Sequence, residues 1–482
     1  FRRVLFRSQG DYRPLLGQYV EANREMFYPR CESIWDRVGT FQCTGVELAS
    51  NDEARAFYKA VGGKYLELHG HFKYYGQYWN EGEWETLHEY ETRRLIEAGQ
   101  KPRPDPNAVS FRKTHTQQTM LEGIRKLKAD DISVHIYFNF TDGDRDLCVP
   151  KIPDSINRDE DGKPWPSGWR FCDNIHAWPG SSAYKGFIEQ ARKLLDFYPV
   201  DGFFFDCFRH YDFDFAHSDG ITMVNNKPAS CVNFSMAKLA KAIMTEAHAR
   251  GKDSFANKPR TLLSMAHVDG MLLEGDGERS EMYYYYTTLA KPNFYMWGRG
   301  VRSEEECLKR CLVLAAWPNT PNQIKGDAAI ELFSKYLPLY GQFTRRVLCF
   351  EPDPIRLDFG LEGELYTADG DYVAGIVRPL VSWKEPPPAE PRKVAFVVER
   401  ADCVHKVLVH YVGEDVPRSA PVYRSGDQIV VPLPLLRSGC VVRLVVGDTR
   451  NDKQKSFDGV KDYFDSCGDP VSAFEMGSGN KE

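Results

Sequence analysis

Two segments of the sequence share one pattern of polar and apolar positions. Residues 200–206 and 268–274 each read Val, Asp, Gly, three large apolar residues and then a carboxylate. A short, wholly apolar run is typical of a strand covered on both faces, as in a parallel sheet. The pattern therefore places Asp206 and Glu274 at the C-terminal ends of two strands. Their spacing of about two βα units indicates strands two steps apart in a barrel.

Strand and helix patterns alternate on both sides of these two segments. The other predicted strands cover residues 40–46, 64–71, 131–140, 254–257, 293–297 and 315–317. The predicted helices cover residues 11–27, 51–61, 116–128, 183–198, 232–250 and 328–340, with one more that opens at a capping box at 303–306. This alternation predicts a (β/α)8 TIM barrel over residues 40–345 rather than an open sheet.

The pattern of apolar and polar residues changes after residue 345. Helical periodicity ends, and short β-rich runs separated by Gly, Pro and Asp predict a C-terminal antiparallel β-sandwich over residues 346–447. Residues 448–482 are interpreted as a polar tail. Residues 9–39 are interpreted as a helical linker from a missing N-terminal domain. Residues 1–8 match a translated sequencing adapter, which indicates a metagenomic fragment, and we expect them to be foreign to the fold.

Composition narrows the classes of partner. A net charge of −6 over 482 residues gives no indication of nucleic acid or an anionic membrane. No apolar run is long enough to span a bilayer. The 12 cysteines are scattered without a CxxC pair, which predicts free thiols and favours a cytoplasmic compartment. Dinucleotide and phosphate-loop motifs are absent from the sequence, so no cofactor is expected. The oligomeric state stays open.

One segment imitates the start of a calcium loop. Asp142, Asp144 and Asp146 have the alternating spacing of such a loop, but Pro153 stands where its bidentate glutamate belongs. We interpret it as a solvated turn and expect no metal site. The long polar segment 141–179 that contains it is expected to be a structureless functional loop, such as a lid or a binding loop.

The barrel with "DGFFFD" closing strand four and "DGMLLEG" closing strand six resembles the melibiase-like superfamily of α-galactosidases and α-glucosidases. The resemblance covers residues 10–447 in architecture and the two strand ends in motif. It implies a barrel followed by a β-sandwich, a nucleophile at Asp206 and an acid/base at Glu274. The best-known members carry Asp at the second position, so a glutamate there leaves substrate and stereochemistry open.

Further residues near the predicted strand ends are candidates for binding substrate. Polar groups there can hold sugar hydroxyls, and aromatic rings can stack on sugars. The candidates are Asn139, Asp142, Arg209, His210, Lys258, Trp297, Arg299, His69 and Trp169. Asp201 and Asp269 precede the apolar runs, at the end of a barrel that serves stability, and we interpret them as structural.

The leading hypothesis is a retaining α-glycosidase that acts on an oligosaccharide or glycoside, because two converging carboxylates are the minimum for this chemistry. A structural ion pair with Arg209 or Lys258 is the alternative for Asp206, and Asp276 and Glu278 compete with Glu274. A Schiff-base lyase or aldolase that uses Lys258 is a second hypothesis. A non-catalytic carbohydrate-binding barrel is the third. The sugar, the linkage and exo or endo action are not determined by the sequence.

Overall fold

The computed structural model describes residues 11–101, 114–207, 213–259, 261–274, 290–296, 303–321, 324–379, 390–425 and 428–447. Its largest sheet has eight strands, which lie side by side in the order in which they occur in the sequence. The neighbouring strands whose residue partners are defined run parallel to each other. The strands are β1 Thr40–Thr44, β2 Gly63–Leu68, β3 Ser133–Asn139, β4 Gly202–Asp206, β5 Asp253–Asn257, β6 Gly270–Glu274, β7 Asn293–Met296 and β8 Trp317–Pro318.

The sheet closes on itself. Phe41 and Asn319 form a parallel bridge, and the Thr320 amide donates to the Phe41 carbonyl at 2.9 Å, which joins the end of the sheet to its beginning. The predicted barrel class is therefore confirmed. Gln42 to Ala56 and Gly63 to Met271 form one compact unit, while residues 11–41, 57–62 and the described residues from 272 to 447 form a second.

Ten α-helices lie in the described ranges. They are α1 Arg13–Ala22, α2 Arg24–Phe27, α3 Asp52–Ala60, α4 Leu87–Glu97, α5 Gln117–Ala129, α6 Ser182–Phe197, α7 Val232–His248, α8 Leu262–Met265, α9 Glu304–Val313 and α10 Gly326–Tyr340. The helix predicted over residues 11–27 is broken at Asn23, whose backbone is not helical. Asn51 caps α3 as expected, because its Oδ1 accepts from the Ala54 amide at 2.9 Å. None of the helices described has the length and apolar character that a membrane crossing requires.

The segment 141–179 is not the structureless loop that the sequence predicts. Its strands Asp142–Asp144 and Cys172–Asn174 pair antiparallel, and two 3-10 helices, Val149–Lys151 and Pro153–Ser155, lie between them. Several of the polar side chains that suggested a loop, among them Asp142, Asp144 and Asp173, are buried and hydrogen-bonded instead. Asp144, for example, accepts from the amides of Asp146 and Leu147 and from the Tyr90 hydroxyl.

Other short strands and 3-10 helices complete the loops. The strands pair antiparallel as Glu83–Glu85 with Thr114–Thr116, Phe213–Asp214 with Ser230–Cys231, and Met223–Val224 with Lys227–Pro228. The remaining 3-10 helices are Glu32–Trp35, Val46–Ser50, Gly341–Phe343 and Ala401–Cys403.

The C-terminal residues form two antiparallel sheets. Their strands are β9 Val347–Leu348, β10 Ile355–Leu357, β11 Glu362–Ala368, β12 Asp371–Val377, β13 Glu390–Val397, β14 Val404–Tyr411, β15 Arg418–Ala420, β16 Tyr423–Ser425, β17 Gln428–Leu436 and β18 Gly439–Val446. One sheet has the order β9-β11-β12-β18-β14-β15 and the other β10-β13-β17-β16. Alternate side chains of both sheets, such as Ile376 and Phe396, share one buried core, as in a β-sandwich.

The Asp-Gly pairs of the repeated segments have structural roles. The Asp201 carboxylate accepts from the Val134 amide at 2.9 Å, and Asp269 accepts from the Ser254 amide at 3.1 Å. Each aspartate thus ties the start of its own strand to the strand before it, which confirms the structural interpretation. A Cβ on Gly202 would lie 1.8 Å from the Asp253 carbonyl oxygen, so this position requires glycine.

Candidate active site

Asp206 is the last residue of β4, at the C-terminal edge of the barrel, and both of its carboxylate oxygens have partners. The Tyr137 hydroxyl donates to Oδ2 at 2.9 Å, and the Asn257 amide nitrogen donates to Oδ1 at 2.9 Å. Tyr137 lies in β3 and Asn257 ends β5, the two strands that flank β4. One donor from each neighbouring strand therefore fixes the orientation of the carboxylate.

A second carboxylate, Glu67, lies near Asp206 and was missed by the sequence analysis. It is buried in β2, and its Oε1 is 2.9 Å from the His69 Nδ1 and 3.3 Å from the Cys43 Sγ, which donates to it. Burial raises the pKa of Glu67, and the charge of Asp206 raises it further. The hydrogen bond with His69 acts in the opposite direction but does not cancel the rise. A glutamate within a buried strand is the signal that could have revealed it.

His69, a predicted substrate-binding residue, forms a pair with Glu67. Burial by itself would lower the pKa of His69, but the hydrogen bond with Glu67 and the charges of Glu67 and Asp206 raise it overall. Its side chain keeps 32% exposure, so the imidazole has access to the barrel mouth. Both pKa shifts are upward, so each member of the pair keeps its proton to a higher pH than it would in water.

Asn139 and Asp142 form a buried network behind Tyr137. The Asn139 amide nitrogen donates to the Tyr137 hydroxyl at 3.2 Å and to the Asp142 Oδ2 at 2.6 Å. The other Asp142 oxygen accepts from Ser167, in the long segment after β3. A continuous chain of hydrogen bonds thus leads from Asp206 to that segment, which locks the tyrosine in place.

Aromatic rings line the barrel beside this network. Tyr137 stacks on Phe72 with ring centroids 5.5 Å apart and meets the edge of His69 at 4.5 Å. Tyr75 packs against Phe72 and stacks on Trp169, a predicted sugar-stacking residue that is 38% exposed. An apolar wall with one exposed ring at its edge suits a ligand that has flat apolar faces and polar rims.

The backbone turns sharply after β4 and β5. Cys207 and Lys258, the residues after Asp206 and Asn257, have φ values of 55° and 51°. Non-glycine residues in this left-handed region are strained, and such strain is frequent at functional sites. Lys258 is therefore located at the edge that carries Asp206, at the end of the adjacent strand.

Glu274 ends β6 with an exposed side chain. Its position at a C-terminal strand end agrees with the predicted register, whereas its separation from Asp206 and its role stay predictions. Four other predicted residues, Arg209, His210, Trp297 and Arg299, lie outside the described residues.

Comparisons with known proteins identify the fold. No protein-family model matches the chain, and no curated protein matches it. Among solved structures, a cycloisomaltooligosaccharide glucanotransferase from Paenibacillus sp. is similar with a TM-score of 0.56 and 8% identity, over 85% of each chain.

Two further structures have a similar fold. A noncanonic maltogenic alpha-amylase from Thermotoga neapolitana has a TM-score of 0.51 and 11% identity, over 84% of this chain and 98% of its own. A ligand-free alpha-N-acetylgalactosaminidase from Bifidobacterium bifidum has a TM-score of 0.50 and 11% identity, over 76% of this chain and 62% of its own. The shared feature is the fold: these identities are too low to carry an activity across.

Proposed function

We propose that this protein is a glycoside hydrolase, specifically a retaining α-glycosidase. The observation that carries the proposal is the Asp206 carboxylate, held by Tyr137 and Asn257 at the C-terminal edge of the barrel. This edge is where barrel enzymes carry out their chemistry. A carboxylate with both oxygens fixed, beside an aromatic wall, is suited to attack a sugar ring from one face.

In this proposal Asp206 is the nucleophile. It attacks the anomeric carbon, the glycosidic bond breaks, and a glycosyl-enzyme ester forms. Glu274 gives its proton to the departing oxygen and then takes a proton from the water that hydrolyses the ester. Retention requires the two carboxyl groups about 5–5.5 Å apart in the complex, whereas inversion requires about 6.5–9.5 Å.

The hydrogen-bonded groups around Asp206 have supporting roles in the proposal. Tyr137 and Asn257 hold the nucleophile, and the Glu67–His69 pair, in which both pKa values are raised, offers a hydrogen-bond donor at the barrel mouth. Sugar hydroxyls and rings are assigned to the predicted binding residues Arg209, His210, Lys258, Trp297, Arg299, His69 and Trp169. The two other predicted residues, Asn139 and Asp142, are buried and hydrogen-bonded behind Tyr137, and in this proposal they position that tyrosine. The α-linkage follows the family resemblance, and it accords with the names of the amylase and the alpha-N-acetylgalactosaminidase.

The test is a panel of aryl α- and β-glycosides with the full chain and with Asp206→Ala. We expect turnover of at least one α-glycoside, its loss in Asp206→Ala, and its return with added azide as a glycosyl azide of inverted configuration. The matched control is Asp196→Ala, an exposed aspartate paired with Arg250, which should leave turnover unchanged.

Three results would contradict the proposal. Turnover that survives Asp206→Ala would remove Asp206 as the nucleophile. Borohydride trapping of a carbonyl substrate on Lys258 would favour a Schiff-base lyase instead. Sugar binding without turnover, unchanged in Asp206→Asn, would favour a non-catalytic barrel.

A further inference from the structure

Two histidines and an aspartate meet in a place that the proposed glycosidase chemistry does not use. The Asp214 Oδ2 lies 2.7 Å from the His176 Nδ1 and 2.5 Å from the His217 Nδ1. One ligand atom from each of the three lies within 4.8 Å of the others. Both histidines thus aim a ring nitrogen at the same carboxylate oxygen.

The three side chains come from two segments of the chain. His176 belongs to the long segment between β3 and α6, whereas Asp214 and His217 follow β4. The sequence analysis expected no metal site. No compact motif joins these residues, since 38 positions separate His176 from Asp214. The fold brings these residues together.

Each of the two buried members is held by a further group on its far side. The Asp214 Oδ1 accepts from the amides of Arg158 at 3.1 Å and Ala216 at 3.0 Å. The second ring nitrogen of His176 lies 2.8 Å from the Ser235 hydroxyl in α7. Outer partners of this kind orient the imidazole and carboxylate ligands of metal sites.

We propose that His176, Asp214 and His217 bind a divalent transition metal ion of the zinc class. Two imidazoles and one carboxylate are a donor set that zinc sites use, with ligands at about 2.0–2.2 Å. Calcium is disfavoured because it takes oxygen ligands. The side chains of His176 and Asp214 are fully buried, so a cation there also neutralises a carboxylate withdrawn from water.

The fourth coordination position has space available. His176 and His217 both line a cavity of about 510 Å³, together with Trp178, Ser230 and Lys238. His217 keeps 30% side-chain exposure, which provides a route for the ion. Three protein ligands with a water molecule in the fourth position describe an open zinc site. The bound ion would tie the segment after β3 to the segment after β4.

The hydrogen bonds also resemble a Ser–His–Asp triad, with Ser235 as the nucleophile. A triad requires only one histidine, His176, on the Asp214 carboxylate. Here His217 places a second imidazole nitrogen on the same Asp214 oxygen, and this favours the metal site. A metal site accounts for both histidines. A fluorophosphonate probe separates the two assignments, since covalent labelling of Ser235 would overturn the metal site.

The test is calorimetric titration of the chelator-treated, full-length chain with zinc chloride. We expect one zinc ion per chain and a higher melting temperature with zinc. His217→Ala removes a direct ligand and should weaken zinc binding at least tenfold, because the loss of an outer partner alone costs roughly that much. Ser235→Ala, which keeps all three ligands, should weaken it on the order of 10–100-fold.

The matched control uses the other cluster with metal-ligand spacing among the described residues, Cys43, Glu67 and His69. His69→Ala should leave zinc affinity unchanged. Cobalt(II) gives an independent readout, because a thiolate ligand adds a charge-transfer band that a His–His–Asp site lacks. Absence of zinc binding, undiminished binding in His217→Ala, or a thiolate band that disappears with Cys43→Ser would each overturn the proposal.

Discussion

The Tyr137 hydroxyl donates a 2.9 Å hydrogen bond to the Oδ2 of Asp206, and the Asn139 amide holds that hydroxyl from behind at 3.2 Å. The tyrosine therefore connects the carboxylate to the buried polar network of β3. In the proposed mechanism this hydroxyl holds the carboxylate in a fixed orientation by occupying Oδ2.

We predict that Tyr137→Phe lowers kcat about tenfold to a hundredfold, because a hydrogen bond to a charged group contributes about 1.5–3 kcal/mol. Steady-state kinetics on the best aryl glycoside measure the effect. Tyr78→Phe is the matched control: it also removes a buried tyrosine hydroxyl, but one that donates to the Asn139 carbonyl. Its kcat should stay close to that of the parent, and equal losses in both variants would refute the assigned role.

The sequence revealed Asp206 but not its partners, for a physical reason. An apolar run that ends in a carboxylate marks one strand end by itself, so Asp206 needs no other segment to be noticed. Tyr137 and Asn257 meet Asp206 only through the pairing of β3 and β5 with β4. A tyrosine inside an apolar strand looks like packing until its neighbours in the sheet are known.

Glu67 was missed because it lies within its strand and does not end an apolar run as Asp206 does. Within β2 it stands between Leu66 and Leu68, and all three residues are buried. In an amphipathic strand such alternation indicates a solvated face, whereas in a closed barrel it indicates the interior. The burial of Asp142 and Asp144 in the 141–179 segment was likewise hidden, because protein groups rather than water satisfy their carboxylates.

We predict that stability falls as pH rises because of the Glu67–His69 pair. Both pKa values are raised in the folded protein, so the folded state binds more protons than the unfolded chain. This contribution is fully present below the ordinary glutamate pKa of about 4.3 and is lost as pH rises through the raised pKa of His69. Urea denaturation between pH 5 and 9 measures it, and Glu67→Gln should flatten the decline.

The control for this pH series is Glu331→Gln, on the exposed face of α10. The hydrogen bond from Lys335 lowers the pKa of Glu331, so its contribution is present at neutral pH and is lost only in acid. The decline above neutrality should match the parent in this variant. An unchanged slope in Glu67→Gln would show that Glu67 is not the group responsible.

We predict that Gly202→Ala destabilises the barrel by about 1–3 kcal/mol, the usual cost of overpacking. The added methyl group would meet the Asp253 carbonyl of the paired strand at 1.8 Å. Gly186→Ala is the opposite case, since Gly186 lies inside α6 and an added Cβ meets no atom within 4 Å. That change should stabilise the protein by up to about 1 kcal/mol. Chemical denaturation of both variants measures the contrast, and a neutral Gly202→Ala would contradict the close approach.

The last prediction concerns Glu274 and separates its role from that of Asp206. An acid catalyst matters most when the leaving group is a poor one, because a good leaving group departs without a proton. Glu274→Ala should therefore reduce turnover of alkyl glycosides far more than turnover of dinitrophenyl glycosides, whereas Asp206→Ala should reduce both. Azide added to Glu274→Ala should accelerate the breakdown of the glycosyl-enzyme and give a glycosyl azide of retained configuration, because the small anion needs no base to activate it.

The competing carboxylates Asp276 and Glu278 provide the matched comparison for this prediction. Asp276→Ala and Glu278→Ala should show the same ratio of alkyl to dinitrophenyl turnover as the parent. If one of them shows the selective loss and Glu274→Ala does not, the acid/base role moves to that residue while Asp206 remains the nucleophile. If all three variants lose both substrates equally, residues 274–278 act in binding, and the second carboxylate of the reaction must come from elsewhere. Glu67, whose pKa is raised by burial and by the charge of Asp206, is then the next candidate to test.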